Sequence, residues 1–124
     1  MQMGTRKILC VDDEKQIREL FKKILESHGY FVSTASNGTE AVREVHEDSE
    51  LALVFMDLNM PGMDGLTAIE EIRKTHQIPI TVITGYTHPE DKERCKTLNC
   101  DYMNKPIKMQ DLVSKAEQYA PMHQ

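Results

Sequence analysis

The sequence predicts one α/β domain in which a parallel sheet is covered by helices on both faces. Three observations carry this. Apolar runs of strand length alternate with stripes of helical period; the runs are continuous, as in strands buried on both sides; and polar residues follow the runs at similar places. With 124 residues the chain has the length of one domain, residues 1–124 with a core of about 6–119.

The first strand is the run Ile8-Leu9-Cys10-Val11, which stops at Asp12-Asp13. Ile17, Leu20, Phe21, Ile24, Leu25 and His28 then recur at helical spacing, and Gly29 ends that helix from the position after its cap. Residues 30–35, aromatic and β-branched, form the second strand; Asn37-Gly38 supplies a turn before a helix carrying Ala41, Val42 and Val45. The third strand spans residues 51–56. A loop over residues 57–65 leads to a helix over about 66–76 that buries Leu66, Ile69 and Ile72. Pro79 opens the fourth strand, residues 80–84, and a helix over 89–98 follows. A short strand at 101–103 and a helix with Met109, Leu112, Val113 and Ala116 inward complete five β-then-α units. Parallel strands need long, right-handed crossovers, which place helices on both faces.

Composition excludes several classes. Fifteen basic against 20 acidic residues give a net charge of -5, which argues against direct nucleic-acid contact. No apolar run approaches the length of a membrane span and residues 1–7 lack a signal core, so a cytoplasmic location without membrane contact is expected. Cys10, Cys95 and Cys100 show no paired spacing and are expected to be reduced thiols. The five histidines are scattered, and the eight methionines read as core filling.

Ligands of open α/β sheets bind beyond the carboxyl ends of the strands. There the chain places Asp12-Asp13, Asp57, Thr84-Gly85 and Lys105-Pro106. Carboxylates gathered at one edge repel unless a proton or a cation sits among them, and oxygen donors without His or Cys suit Mg²⁺. A carboxylate beside such a cation can attack phosphorus, with Lys105 and the Thr84 hydroxyl reaching phosphoryl oxygens. Gly85 avoids crowding the anion. The Pro61-Gly62 turn leads the loop away from Asp57, a backbone carbonyl there could complete the metal shell, and Asn59 stands close to Asp57.

Val11-Asp12-Asp13-Glu14, the string Met56-Asp57-Leu58-Asn59-Met60-Pro61-Gly62-Met63-Asp64-Gly65, Thr84-Gly85 and Lys105-Pro106 together resemble the receiver domains of response regulators, including the single-domain chemotaxis and sporulation types. The resemblance spans nearly the whole chain. It implies a flavodoxin-like (βα)5 three-layer sandwich with strand order 2-1-3-4-5. It further implies Asp57 as phosphoacceptor, Asp12 and Asp13 with the Asn59 carbonyl as Mg²⁺ ligands, and Thr84 and Lys105 as partners of the phosphoryl group. Tyr102 would be an aromatic switch and Lys105-Pro106 a cis peptide. The donor would be a phosphohistidine on a sensor histidine kinase or phosphotransfer protein, and the recipient a downstream protein target or effector domain. The chain departs from the family at Leu98-Asn99-Cys100-Asp101-Tyr102, where Asn99 stands near the usual glycine; asparagine also enters the left-handed region. Tyr86, two residues after Thr84, is placed to shield the site.

Each residue also has a plainer reading: Asp12-Asp13 as a helix cap, Thr84 as a strand-end hydroxyl, Lys105 as a solvated lysine, Tyr102 as a sheet aromatic, Asp64 as a cap. Joint placement favours the switch, which assists its own phosphorylation without being a turnover enzyme. The alternatives are a constitutive receiver-like interaction module and a Mg²⁺-dependent phosphohydrolase.

Overall fold

The structure, a computed structural model, describes residues 6–85 and 88–121. Five strands and five helices alternate: β1 Lys7–Val11, α1 Lys15–Ser27, β2 Phe31–Ala35, α2 Gly38–Glu47, β3 Leu51–Met56, α3 Gly65–Arg73, β4 Ile80–Thr84, α4 Pro89–Thr97, β5 Asp101–Asn104 and α5 Met109–Tyr119. All pairings are parallel and the order is β2-β1-β3-β4-β5, as the resemblance implied.

Alternation along the strands divides the core into two layers. Leu9, Val11, Val54, Met56 and Val82 pack with α2, α3 and Cys95 of α4, whereas Ile8, Cys10, Leu53, Phe55 and Ile83 face α1 and α5. The helices differ in what they bury. Leu66, Ala68, Ile69 and Ile72 of α3 are buried, but of α4 only Cys95 is, among the described residues.

The ends of the helices follow local chemistry. Asn37 caps α2 by accepting from the Glu40 N–H at 2.9 Å, and the Glu40 carboxylate accepts from the Ser36 N–H at 2.7 Å. Asn37-Gly38 is therefore a cap and first helical residue, not a separate turn. Asp64 caps α3 as read from the sequence, accepting from Thr67 N–H at 2.9 Å. At the end of α1, Gly29 has φ +92°, and the Gly29 and Tyr30 N–H groups donate to Glu26 and Leu25. Asn99 takes the same role after α4 at φ +60°, with the Cys100 N–H donating to the Cys95 carbonyl at 2.8 Å.

Further expectations need correction. Leu20 is half exposed and Met109 more so, so neither faces the core. His28 is exposed and caps α1. The third helix ends at Arg73 rather than near residue 76, because Lys74 and Thr75 donate to carbonyls three residues back and the last turn tightens. The plainer reading of Asp12-Asp13 as a helix cap does not hold: Glu14 occupies that position, and its N–H donates to Asp12 Oδ1 at 2.9 Å.

Candidate functional site

The sheet ladder continues one residue past the strands and builds the site. The Asp57 N–H donates to the Val11 carbonyl at 3.0 Å and the Asp12 N–H to the Ala35 carbonyl at 3.1 Å. Asp12 and Asp57 thus follow paired positions on neighbouring strands, since Val11 is in register with Met56. This is where the strand order reverses, the crevice in which doubly wound sheets bind ligands.

Asp12, Asp13 and Asp57 each offer a carboxylate oxygen within 4.8 Å of the others. Asp12 and Asp57 are 3% and 4% exposed, while Asp13 stands at the rim. From the far side of the sheet, the Lys105 N–H donates to the Thr84 carbonyl at 2.8 Å, which anchors the residue. Its Nζ reaches Asp12 Oδ2 at 2.9 Å and lies 3.6 Å from Asp57 Oδ2.

Burial pushes the Asp57 carboxyl above its ordinary range, and the Asp12 charge pushes the same way, against the pull of Lys105 and the Asn59 N–H. Burial alone would lower Lys105, but its hydrogen bond to Asp12 and the charge of Asp57 outweigh that and hold it raised. Three carboxylates against one ammonium leave an excess of negative charge that a divalent cation would neutralise. The donors are all hard oxygens, so the set fits Mg²⁺ better than a softer ion.

Thr84 is fully buried, and its hydroxyl accepts from the Asn59 side-chain amide at 3.0 Å. The Asn59 N–H donates to Asp57 Oδ1 at 3.2 Å, so this one residue touches both the carboxylate and the hydroxyl. Tyr102, paired with Val82, packs against the core layer under α4. Its hydroxyl is closed off from solvent, and Lys92 Nζ lies 5.7 Å from the ring centre. Lys105–Pro106 is cis. Tyr86 lies outside the described residues.

Glycines seat the loop that carries Asp57. A Cβ on Gly65 would lie 2.3 Å from the Asp57 carbonyl oxygen, and one on Gly38 would lie 2.6 Å from that of Met63. Among the described residues, a Cβ on Gly85 would meet only the Lys105 side chain at 4.0 Å.

Sequence reasoning missed Arg18, whose guanidinium donates to the Asp12 carbonyl at 2.8 Å and so braces the acidic corner from α1. Its signal was position: residue 18 lies in the first turns of the helix that follows the acidic pair.

Fold and site together define an α/β domain whose acidic pocket fits a phosphoacceptor. The family model described as the response regulator receiver domain matches residues 8–117, and the chain belongs to that family. It is similar to the chemotaxis protein CheY4 of Vibrio cholerae, with 29% identity, TM-score 0.84, and coverage of 95% of this chain and 99% of that one. A CheY-like receiver protein from Methanospirillum hungatei superposes with TM-score 0.85 at 27% identity, over 93% of each chain. The response regulator TrrA of Thermotoga maritima, solved with Mg²⁺ and BeF, shares 34% identity with TM-score 0.82, over 93% of this chain and 99% of that one.

Proposed function

We propose that the protein is a phosphorylation switch of a two-component phosphorelay, with Asp57 as the phosphoacceptor. The observation that carries this reading is the buried Asp57 carboxylate, grouped with those of Asp12 and Asp13 and lying 3.6 Å from the Lys105 ammonium. An Asp57 oxygen attacks the phosphorus of a phosphohistidine on a sensor kinase or phosphotransfer protein. The new O–P bond forms as the N–P bond breaks, and the imidazole leaves with the electron pair.

Asp12, Asp13, Asp57 and the Asn59 carbonyl would hold Mg²⁺, which supplies charge neutralisation to the transferring group. The TrrA complex with Mg²⁺ and BeF supports that assignment by similarity. Lys105 neutralises one phosphoryl oxygen. The Thr84 hydroxyl, now accepting from Asn59, turns to donate to another and draws the following segment inward. Tyr102, on β5, reports that movement on the surface of α4, β5 and α5, where a downstream protein or effector domain docks. The protein acts in the cytoplasm as a switch and not as a turnover enzyme.

The test is intact mass after incubation with acetyl phosphate, with and without Mg²⁺, for wild type and Asp57→Asn. The expected result is one added phosphoryl group that needs both the metal and Asp57. Absence of an adduct under all conditions would overturn the reading.

A further inference from the structure

We propose that His46 and His76 form a second metal site, for a divalent transition ion of the Zn²⁺ or Ni²⁺ kind, at the sheet edge opposite the carboxylate pocket. His46 lies in the last turn of α2 and His76 just beyond α3, so the fold joins two histidines that sequence spacing keeps apart. Their ring centres are 5.1 Å apart and the planes are inclined by 31°.

The two rings converge on one oxygen. His46 Nε2 lies 3.0 Å from the Thr75 hydroxyl, and His76 Nδ1 lies 2.7 Å from the same atom. A hydroxyl has one proton to donate, so it satisfies the lone pair of only one ring; the other ring must present its N–H instead. A metal ion accepts both lone pairs together. His46 is exposed and His76 half-buried, so the rings can turn to place both nitrogens at about 2.0–2.1 Å from an ion. Water and the Thr75 hydroxyl fill the remaining positions.

The neighbouring cations are already engaged. Arg73 donates to the carbonyls of Leu98, His76 and Asn99, and Lys74 pairs with Glu71. Imidazole favours borderline ions, whereas carboxylate and carbonyl oxygens favour Mg²⁺, so the two edges of the sheet sort metals by chemistry. An ion held here ties the end of α2 to the end of α3.

The test is calorimetric titration of Ni²⁺ into the full chain at about pH 7.5 with saturating Mg²⁺. Wild type, His46→Gln, His76→Gln and Asp57→Asn are compared. One ion is expected to bind the wild type, at least about tenfold more weakly in either histidine variant and unchanged in Asp57→Asn. Paramagnetic broadening in the wild-type NMR spectrum is expected to centre on the His46 and His76 ring protons, a readout that does not depend on any variant folding. Binding weaker than about 1 mM, binding that survives both histidine substitutions, or binding that disappears with Asp57→Asn would overturn the proposal.

Discussion

Lys105 Nζ lies 2.9 Å from Asp12 Oδ2 and 3.6 Å from Asp57 Oδ2, so a single ammonium bridges the two buried carboxylates of the site. Removing it by Lys105→Met leaves both carboxylates without their cation. Urea unfolding without metal is expected to show a loss of about 2 kcal/mol, below the range for fully buried pairs because the lysine is partly solvated. Mg²⁺ binding by calorimetry is expected to tighten several-fold, since a competing positive charge is gone.

Asp57→Asn acts in the opposite direction on stability. The folded carboxyl is raised by burial and by Asp12, so its stabilising state is the protonated one. That contribution is complete below the ordinary carboxylate range and is lost as the pH rises through the raised folded value. Without Mg²⁺ at neutral pH, the variant is expected to be more stable than wild type by on the order of 1 kcal/mol, and the difference should vanish on acidification. Thermal melts across the acidic range check both.

Gly65→Ala introduces a carbon 2.3 Å from the Asp57 carbonyl oxygen and 2.9 Å from the Leu58 Cα. Backbone must move, not a flexible side chain. A loss of about 2–3 kcal/mol in denaturant unfolding is expected, together with slower labelling by acetyl phosphate because Asp57 is displaced.

Thr84→Val deletes the oxygen that accepts from the Asn59 amide at 3.0 Å. The apo protein is expected to lose about 1 kcal/mol. In the proposed switch, Asp57 should still accept a phosphoryl group in the variant, but the accompanying shifts in Tyr102 and α4 NMR resonances should be reduced.

Asn99→Gly tests the left-handed residue after α4. With φ at +60°, glycine fits without a Cβ penalty, and a change within about 1 kcal/mol of wild type is expected; Asn99→Val should cost more. Comparison of the three unfolding midpoints decides it.

The first and third strands were legible because residues 8–11 and 51–56 are unbroken apolar runs, the usual composition of a strand buried on both faces. Asp12 and Asp57 were legible because each directly follows such a run, Thr84 because it closes the fourth strand, and Lys105 because it comes just after the fifth. The faces of the surface helices were less so. Leu20 and Met109 have the spacing of inward residues, yet periodicity does not register how far a helix's stripe is covered, and both are exposed. The link from Asn59 to Thr84 joins the loop after β3 to the end of β4, and that pairing depends on strand register beyond any local pattern.

Cys95, the side chain α4 buries among the described residues, has a dynamic consequence. Burying one small thiol yields far less than the four apolar residues by which α3 is seated. Sliding or tilting α4 therefore forfeits little packing, while α1, α3 and α5 stay clamped to the sheet. Amide exchange should open first along α4, and a ligand offering only a few kcal/mol of preference has enough leverage to relocate it.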